Sequence, residues 1–232
     1  SLFIVGMLRS GSTLLESILS INNNVNDLGE INILEDLFIY LKKINKINQL
    51  AELYWKKLRI YNKKSNIITN KWLYNYLYTG IIATQIPNSK IIHCFRNPLD
   101  NILSIYRAHF SKGNEYASSL IDCAEVYLNQ EEVMNQYKKR YRSKIYDLNY
   151  DLLVTNKNHE IKSLINWLGW EWDDMYLSPH LNPRSVSTAS SVQVRSPISS
   201  QSVGGWTKYR EMLEPAIMIL DNNENSKSYK LS

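Results

Sequence analysis

A short apolar run followed by a glycine-bounded loop constrains the fold of this chain more than any other feature. Residues 2–5 read Leu-Phe-Ile-Val, a continuous apolar stretch typical of a strand buried on both faces. The next eight residues, Gly-Met-Leu-Arg-Ser-Gly-Ser-Thr, have the spacing of a nucleotide phosphate loop, and residues 12–20 predict a helix. Such a loop points backbone N–H groups and a helix N-terminus at an anion. The sequence therefore predicts an anion site at a strand end.

This loop departs from the ATP-binding pattern in two ways. Ser12 occupies the position that normally holds lysine, and the cation of the loop is Arg9 instead. The strand predicted at residues 90–95 ends in Arg96, whereas an aspartate there would hold Mg²⁺. Both departures favour an anion that carries less charge than a triphosphate and needs no metal ion, such as a 5′-phosphosulfate. The alternative is an ordinary strand–turn–helix whose glycines serve only the turn.

Strands and helices alternate along the rest of the chain, which predicts a parallel α/β fold. Further strands are expected at residues 66–70, 90–95 and 144–148, and helices at 31–60 (broken near 45–48), 73–85, 117–140, 159–168 and near Lys208. We expect one domain over residues 1–221, with a central parallel sheet of about four to five strands flanked by helices. Residues 222–232 form a polar tail that we expect to be frayed.

A second anion site is indicated one strand away, in residues 95–100. Arg96 stands at the carboxyl end of a buried strand, where open α/β sheets bind ligands. Asn97 can cap the next helix, and Ser104 lies on that helix. Arg96 can fork onto a phosphate while Ser104 donates its hydroxyl, a charge-assisted arrangement. The alternative is that Arg96 pairs with Asp100 and Ser104 merely faces a neighbouring helix.

Together the two segments resemble the motifs of sulfotransferases that use 3′-phosphoadenosine-5′-phosphosulfate (PAPS). Residues 9–14, Arg-Ser-Gly-Ser-Thr-Leu, resemble the 5′-phosphosulfate loop, and residues 95–98, Phe-Arg-Asn-Pro, with Ser104 resemble the 3′-phosphate motif. The match is best to the bacterial branch related to tyrosylprotein sulfotransferases, over residues 2–213. The resemblance implies a P-loop-like sulfotransferase fold, PAPS as cofactor with PAP as product, and no metal. The implied cofactor contacts here are Arg9, Ser10, Gly11, Ser12, Thr13, Arg96 and Ser104.

The same resemblance assigns catalytic roles to three charged residues. Glu30, in Leu-Gly-Glu, matches the glutamate that takes the proton from the acceptor hydroxyl as the hydroxyl attacks sulfur in line. Lys71 matches a lysine that contacts the bridging oxygen and the sulfuryl group, and Arg9 shares its electrostatic work. Without the resemblance, Glu30 is a glutamate near a helix N-terminus and Lys71 a solvated lysine before a helix. His93, inside an apolar strand, is interpreted as a buried side chain with satisfied partners rather than as a base.

Three further segments are assigned by resemblance. Tyr150, in Tyr-Asp-Leu-Leu, resembles a family tyrosine that lies against the nucleotide, although it can equally serve packing. Residues 187–197 resemble the segment that covers the cofactor, and residues 203–206, Val-Gly-Gly-Trp, resemble the Gly-x-Trp element that ends it. Gly205 stands where many relatives carry arginine, so one cationic contact is expected to be missing. The implied cofactor contacts in the covering segment are Thr188, Ser190 and Arg195.

The acceptor is not determined by these residues. The tyrosylprotein enzymes carry an arginine two positions after the catalytic glutamate, which helps to recognise acidic peptides, and this chain has Asn32 there. We therefore expect the acceptor hydroxyl to belong to a small molecule, a carbohydrate or a peptide, but not to an acidic tyrosine peptide. Glu35 and Asp36 make the following helix acidic, and we interpret the pair as a solvated helix face.

Composition leaves two rival functions open. The formal net charge of +5 suits nucleic acid or one small anionic ligand. A basic binding module is the non-enzymatic rival, but no nucleic-acid motif is present, so we expect no nucleic-acid partner. The enzymatic rival is an ATP-dependent small-molecule phosphotransferase with a degenerate P-loop.

The number of cysteines and the hydropathy of the chain indicate its cellular compartment. Two cysteines do not make a disulfide framework, and no apolar run has the length of a membrane span, so we expect a cytoplasmic protein. Because the chain begins directly on a core strand, we expect that a preceding segment has been removed. No feature of the sequence indicates the oligomeric state.

Overall fold

The computed structural model describes residues 1–61, 66–108, 110, 113–182 and 195–223. Within these residues five strands form one parallel sheet in the order β2-β3-β1-β4-β5. The strands are β1 (Leu2–Gly6), β2 (Val25–Asp27), β3 (Ile67–Asn70), β4 (Lys90–Phe95) and β5 (Ile145–Asn149). The predicted parallel α/β architecture is confirmed. Strand β2 was not predicted, because its three residues, Val-Asn-Asp, carry no apolar run.

Helices connect the strands. The α-helices of the described residues are α1 (Ser12–Leu19), α2 (Ile33–Lys43), α3 (Leu50–Tyr61), α4 (Thr79–Gln85), α5 (Pro98–Tyr106), α6 (Leu120–Tyr141), α7 (Tyr150–Thr155), α8 (Lys157–Leu168) and α9 (Arg210–Asn222). Short 3₁₀ helices lie at Ile47–Gln49, Leu73–Tyr78, Glu115–Ser118, Arg142–Lys144, Asp174–Leu177, Pro179–Leu181 and Gly205–Tyr209.

Most helices match the predicted ones, and the differences have local causes. The helix expected from residue 117 begins at Leu120, because the side chain of Ser119 accepts the Asp122 N–H and caps it there. Helix α7 was not predicted. It begins at Tyr150 because Asn149 accepts two of its first N–H groups.

Strand β1 lies at the centre of the sheet, and all five of its residues are buried. Phe3 and Val5 point to one face and pack with residues of α2, α3, α4 and α6. Leu2 and Ile4 point to the opposite face and pack with residues of α1 and α8. Both faces of the sheet are therefore covered by helices, which explains why the β1 sequence is apolar throughout rather than alternating.

The carboxyl edge of this sheet positions the site. Strand β1 lies between β3 and β4, so the chain leaves β1 in the middle of the sheet and returns on both sides of it. In open α/β sheets, ligands bind outside the carboxyl ends of the strands at such a point. The residues that leave β1, β3, β4 and β5 there are the glycine-bounded loop, Lys71, Arg96 and Tyr150.

No helix in the described ranges is both long and apolar enough to cross a membrane. The expected tail falls almost entirely on residues 224–232, which lie outside the described residues, and α9 runs through Asn222.

Candidate active site

The loop between β1 and α1 can be built only with its two glycines. Gly6 has a φ of 141°, and a Cβ on it would collide with the carbonyl oxygen of Cys94 on β4. Gly11 has a φ of 89°, and a Cβ on it would collide with the ring of Tyr150. Arg9 between them is itself left-handed, with a φ of 62°. The glycines thus allow the loop to fold tightly against β4 and beneath Tyr150.

The loop has the groups that an anion needs. Ser10 is 1% exposed, and its Oγ has no hydrogen-bond partner among the described residues. Ser12 and Thr13 are buried in the first turn of α1, whose N-terminus lacks a side-chain cap within the described residues. Free N–H groups at a helix start together with a buried hydroxyl attract a phosphate or sulfate group. The residues present therefore fit the 5′ end of a phosphosulfate.

Arg9 and Ser104 contact each other. The Arg9 Nε donates to the Ser104 Oγ at 3.1 Å, and the Asn101 amide donates to the Leu8 carbonyl at 2.9 Å. Both contacts tie the loop to α5, which begins after β4. Burial, and then the nearby charge of Arg96, lower the pKa of Arg9, while Tyr150 raises it. The two anion sites assigned to separate motifs are therefore adjacent in the fold.

Arg96 lies in a buried corner of the same edge. Its guanidinium carbon is 4.7 Å from the ring centroid of Tyr150, and its Nη2 donates to the Ser202 carbonyl at 3.0 Å. Arg96 forms ion pairs with Asp100 at 3.8 Å and with Asp151 at 3.9 Å, so it does pair with Asp100, although neither distance is that of a hydrogen bond. The Arg96 Nε makes no hydrogen bond within the described part of the chain. This donor fits a second anionic group beside the loop.

Asp100 anchors the segment that crosses this corner. Its Oδ2 accepts the Gly204 N–H at 2.7 Å, and its Oδ1 accepts the Trp206 N–H at 2.9 Å. The Tyr150 hydroxyl and the Ser202 Oγ are 3.0 Å apart. From the sequence, Asp100 was considered only as a partner of Arg96, and Ser202 was not identified. The roles of Asp100 and Ser202 depend on contacts between segments about a hundred residues apart, which the local sequence does not show.

Lys71 and Glu30 are brought together at the other side of the loop. Lys71 is fully buried, and its Nζ donates to the Glu30 Oε1 at 2.8 Å. The backbone holds the two residues side by side, because the Lys71 N–H donates to the Gly29 carbonyl at 3.0 Å. The alternative of a solvated Lys71 is therefore wrong. Glu30 precedes the first residue of α2, Ile33, and its side chain is 47% exposed.

A second carboxylate lies near Lys71, and it was not identified from the sequence. Glu16, on α1, is 7% exposed, and its Oε2 lies 3.7 Å from the Lys71 Nζ. The Thr69 hydroxyl donates to the other Glu16 oxygen at 3.4 Å. A single glutamate among the aliphatic and hydroxyl residues of α1 gives no local signal of this role. The burial of the Glu16 side chain beside Lys71 is the observation that identifies its role.

The acidic pair at the start of α2 is not simply a solvated face. Glu35 accepts hydrogen bonds from the Trp72 indole at 2.8 Å and from the Tyr78 hydroxyl at 3.3 Å. Burial and Glu35 raise the pKa of Tyr78 to about 12. Asp36 is exposed and accepts from the Asn32 amide at 3.0 Å. The interpretation as a solvated face holds for Asp36 and is wrong for Glu35.

Most of the covering segment, residues 187–194, lies outside the described residues. Thr188 and Ser190 lie outside the described residues, and Arg195 is exposed with no described contact to the loop. In the described ranges, no group of three or more His, Cys, Asp and Glu side chains is placed to hold a metal ion.

Fold and site together define a P-loop-like α/β protein in which the glycine-bounded loop and the Arg96 corner adjoin. Residues 44–174, more than half of the chain, match the model of the sulfotransferase family, and the chain belongs to that family. A curated relative, an uncharacterized protein of Aquifex aeolicus (strain VF5), is 29% identical over 242 residues that cover 94% of this chain and 32% of the relative. The chain thus spans about a third of that relative's length.

Solved structures share the fold. The sulfotransferase domain of the Synechococcus PCC 7002 olefin synthase matches with a TM-score of 0.66 and 16% identity, over 94% of this chain and 93% of that domain. A mouse sulfotransferase complexed with PAP matches with a TM-score of 0.61 and 15% identity, over 99% of this chain and 87% of that one. At these identities the likeness establishes the architecture alone.

Proposed function

We propose that this chain transfers a sulfuryl group from PAPS to an acceptor hydroxyl. One observation carries the proposal: a fully buried lysine, Lys71, pairs with a half-exposed glutamate, Glu30, beside a phosphate loop. Sulfuryl transfer needs a cation at the leaving group and a base that can reach the acceptor proton. Lys71 would be that cation, and the Glu30 carboxylate would be that base. Membership of the sulfotransferase family supports the same reaction.

The residues that would hold PAPS are those of the two anion-binding corners. Arg9, Ser10, Gly11, Ser12 and Thr13 would bind the 5′-phosphosulfate, and Arg96 with Ser104 the 3′-phosphate. The buried Ser10 Oγ and Arg96 Nε, which have no described hydrogen-bond partner, support this assignment. Tyr150, which lies over both Gly11 and Arg96, would contact the nucleotide. When bound, PAPS supplies an activated sulfuryl group with a phosphate leaving group.

In the proposed reaction Glu30 acts as the general base. The acceptor oxygen forms a bond to sulfur as the bond from sulfur to the bridging oxygen breaks, and the electron pair stays on the phosphate of PAP. The Glu30 carboxylate takes the acceptor's proton. The charges of Lys71 and Arg9 stabilise the negative charge that grows on the leaving oxygen and the sulfuryl group.

The surroundings of Glu30 support an acceptor that is not strongly anionic. Asn32 donates to Asp36 and carries no charge, and Glu35 lies on the same turn. Like charges there would repel an acidic peptide. We propose a hydroxyl of a small molecule, a carbohydrate or a non-acidic peptide as the acceptor.

Calorimetric titration tests the cofactor. Wild type, Arg96→Ala and the matched control Arg140→Ala, an exposed arginine on α6, are titrated with PAP and separately with ATP and Mg²⁺. We expect metal-independent PAP binding that Arg96→Ala weakens roughly 10- to 100-fold, the range for a hydrogen bond to a charged group. Arg140→Ala should bind PAP like the wild type. Binding of ATP with Mg²⁺ but not of PAP would instead establish a phosphotransferase.

A further inference from the structure

Glu16 is a buried acid that neither the sequence pattern nor the proposed chemistry uses. It lies one helical turn after Ser12, so the two side chains share a face of α1. Leu15, Ile18 and Leu19, its neighbours on the helix, belong to the apolar core. Burying a carboxylate in such surroundings is unfavourable unless a cation and hydrogen-bond donors compensate it. Lys71 and Thr69 provide that compensation.

The two carboxylates at Lys71 differ in access. The side chain of Glu16 is 9% exposed, whereas that of Glu30 is 47% exposed. Glu16 is fixed by the Thr69 hydroxyl at the end of β3, whereas Glu30 lies in the segment between β2 and α2. Lys71 therefore has one enclosed acidic partner and one that faces the open side of the site.

We propose that Glu16 is a positioning residue for sulfuryl transfer that acts through Lys71. This inference rests on the proposed function. The Lys71 ammonium has three donors on a flexible stem, so it can keep one contact while it exchanges another. Glu16 holds and neutralises the ammonium while Lys71 turns from Glu30 towards the sulfuryl oxygens. That turn releases the Glu30 carboxylate, which can then accept the acceptor's proton. No covalent bond to Glu16 forms or breaks.

The position of Glu16 also links the lysine to the phosphate loop. Helix α1 carries the anion-binding N–H groups at its first turn and Glu16 one turn later. One helix therefore sets the distance between the loop and Glu16, the carboxylate that pairs with Lys71. A side chain that is held by a regular element is placed more accurately than one that is held by a loop, and transfer rates depend on placement at the level of an ångström.

The first test separates binding from turnover. We expect Glu16→Gln to bind PAP with a Kd within about twofold of wild type, to leave KM for PAPS nearly unchanged, and to lower kcat roughly 10- to 100-fold, the cost of a misplacement of about 1 Å. Glu214→Gln, an exposed glutamate on α9, is the matched control and should behave like the wild type. A kcat for Glu16→Gln within threefold of wild type overturns the inference.

The second test asks whether Glu16 acts through Lys71. In a double-mutant cycle, adding Glu16→Gln to Lys71→Met should change kcat by less than twofold, because the group that Glu16 positions is already gone. A merely structural role predicts that the losses multiply, and this result would contradict the inference. Thr69→Val provides a second route if Glu16→Gln does not fold. It removes the donor to Glu16 and should lower kcat about threefold or more without changing the Kd for PAP.

A third readout does not depend on turnover. Because Glu16 is the enclosed partner of a buried cation, Glu16→Gln should lower Tm by roughly 5 °C or more, and by more than Glu30→Gln does. A larger fall in Tm for Glu30→Gln than for Glu16→Gln would contradict the inference. If wild-type protein neither binds PAP nor transfers sulfuryl groups, the proposed function itself fails. If wild type is active and Glu16→Gln equals it, only the role of Glu16 fails.

Discussion

Two of the clusters of buried charge among the described residues differ in what surrounds them. The lysine cluster, Glu16, Lys71 and Glu30, is at the carboxyl edge of the sheet beyond β3. The histidine cluster, His93, Gln130, Glu131, Lys138, Asp147 and Arg142, is centred on the middle of β4. Both bury ionisable side chains at a cost in desolvation. The two clusters differ in where their partners are exposed.

In the histidine cluster every charge lies within ion-pair distance of another protein charge, but the buried His93 Nδ1 makes no hydrogen bond among the described residues, so the interpretation of His93 as satisfied is wrong for that atom. The His93 Nε2 is 2.8 Å from the Gln130 amide nitrogen and 3.3 Å from a Glu131 oxygen. Its Nδ1 is 3.6 Å from Asp147, and Asp147 also binds Lys138 at 2.7 Å. Helix α6 and strand β5 enclose the ring, which is fully buried.

The lysine cluster is open on one side only, at Glu30. The most exposed member of the histidine cluster, Arg142, is 63% exposed and precedes β5, away from the carboxyl edge, whereas Glu30 is 47% exposed and lies at that edge. The two clusters thus differ in the edge of the sheet at which a partner is exposed, rather than in burial or charge. Mutations in each cluster should therefore affect different measurements.

The largest expected effect is on turnover after loss of the site cation. Lys71→Met should lower the rate of sulfuryl transfer about 100- to 1000-fold, because a fixed charge on the leaving group is removed. PAP binding by calorimetry should persist. Lys138→Met, the matched change in the histidine cluster, should leave kcat within twofold of wild type. If the Lys138 variant lost turnover as the Lys71 variant does, the distinction between the clusters would be wrong.

The next effect is on stability alone. Glu131→Gln removes one of the two carboxylates at His93, and we expect the free energy of unfolding to fall by about 1–3 kcal/mol. Urea unfolding followed by circular dichroism measures the change. Transfer rates at a temperature where the variant is folded should equal those of wild type. Unchanged stability with reduced turnover would place the histidine cluster in the active site.

The smallest expected effect is on the pH dependence of stability. Burial alone would lower the pKa of His93, but Glu131 and Asp147 outweigh it and raise the pKa. For Asp147 burial acts upward, yet His93, Lys138 and Arg142 hold the pKa of the carboxyl well below its usual range. The contribution of protonated His93 is complete below about pH 6.5 and is lost as pH rises through its raised folded pKa. The contribution of Asp147 persists throughout this range and is lost only in strong acid.

Unfolding at pH 6, 7 and 8 tests this sign. From pH 6 to pH 8 the free energy of unfolding should fall more steeply for wild type than for His93→Gln, because only wild type loses the contribution of protonated His93 in this range. Parallel profiles for the two proteins would show that His93 does not carry the pH dependence.

Local sequence determined the strands with apolar runs and the phosphate loop, because these depend on neighbouring residues. Strand β2 was missed because Val25 is its only apolar residue and its place is set by pairing with β3. Glu30 and Lys71 were identified separately by resemblance, but their contact joins positions 41 residues apart. The burial of Lys71 and the role of Glu16 depend on how α1 packs against the sheet, and no pattern within one segment encodes that packing.

Asp100 has a consequence for how the protein is made. It accepts the amides of Gly204 and Trp206, which are synthesised 104 and 106 residues later. At about 5–20 residues per second, translation takes roughly 5 to 20 s to cover that interval. Until then a nascent chain already contains the phosphate loop, Lys71 and Arg96, but its Arg96 corner is open. A translation product that stops before residue 204 would therefore carry the phosphate loop, Lys71 and Arg96 without the segment that binds Asp100, so this corner can close only after residue 206 has been synthesised.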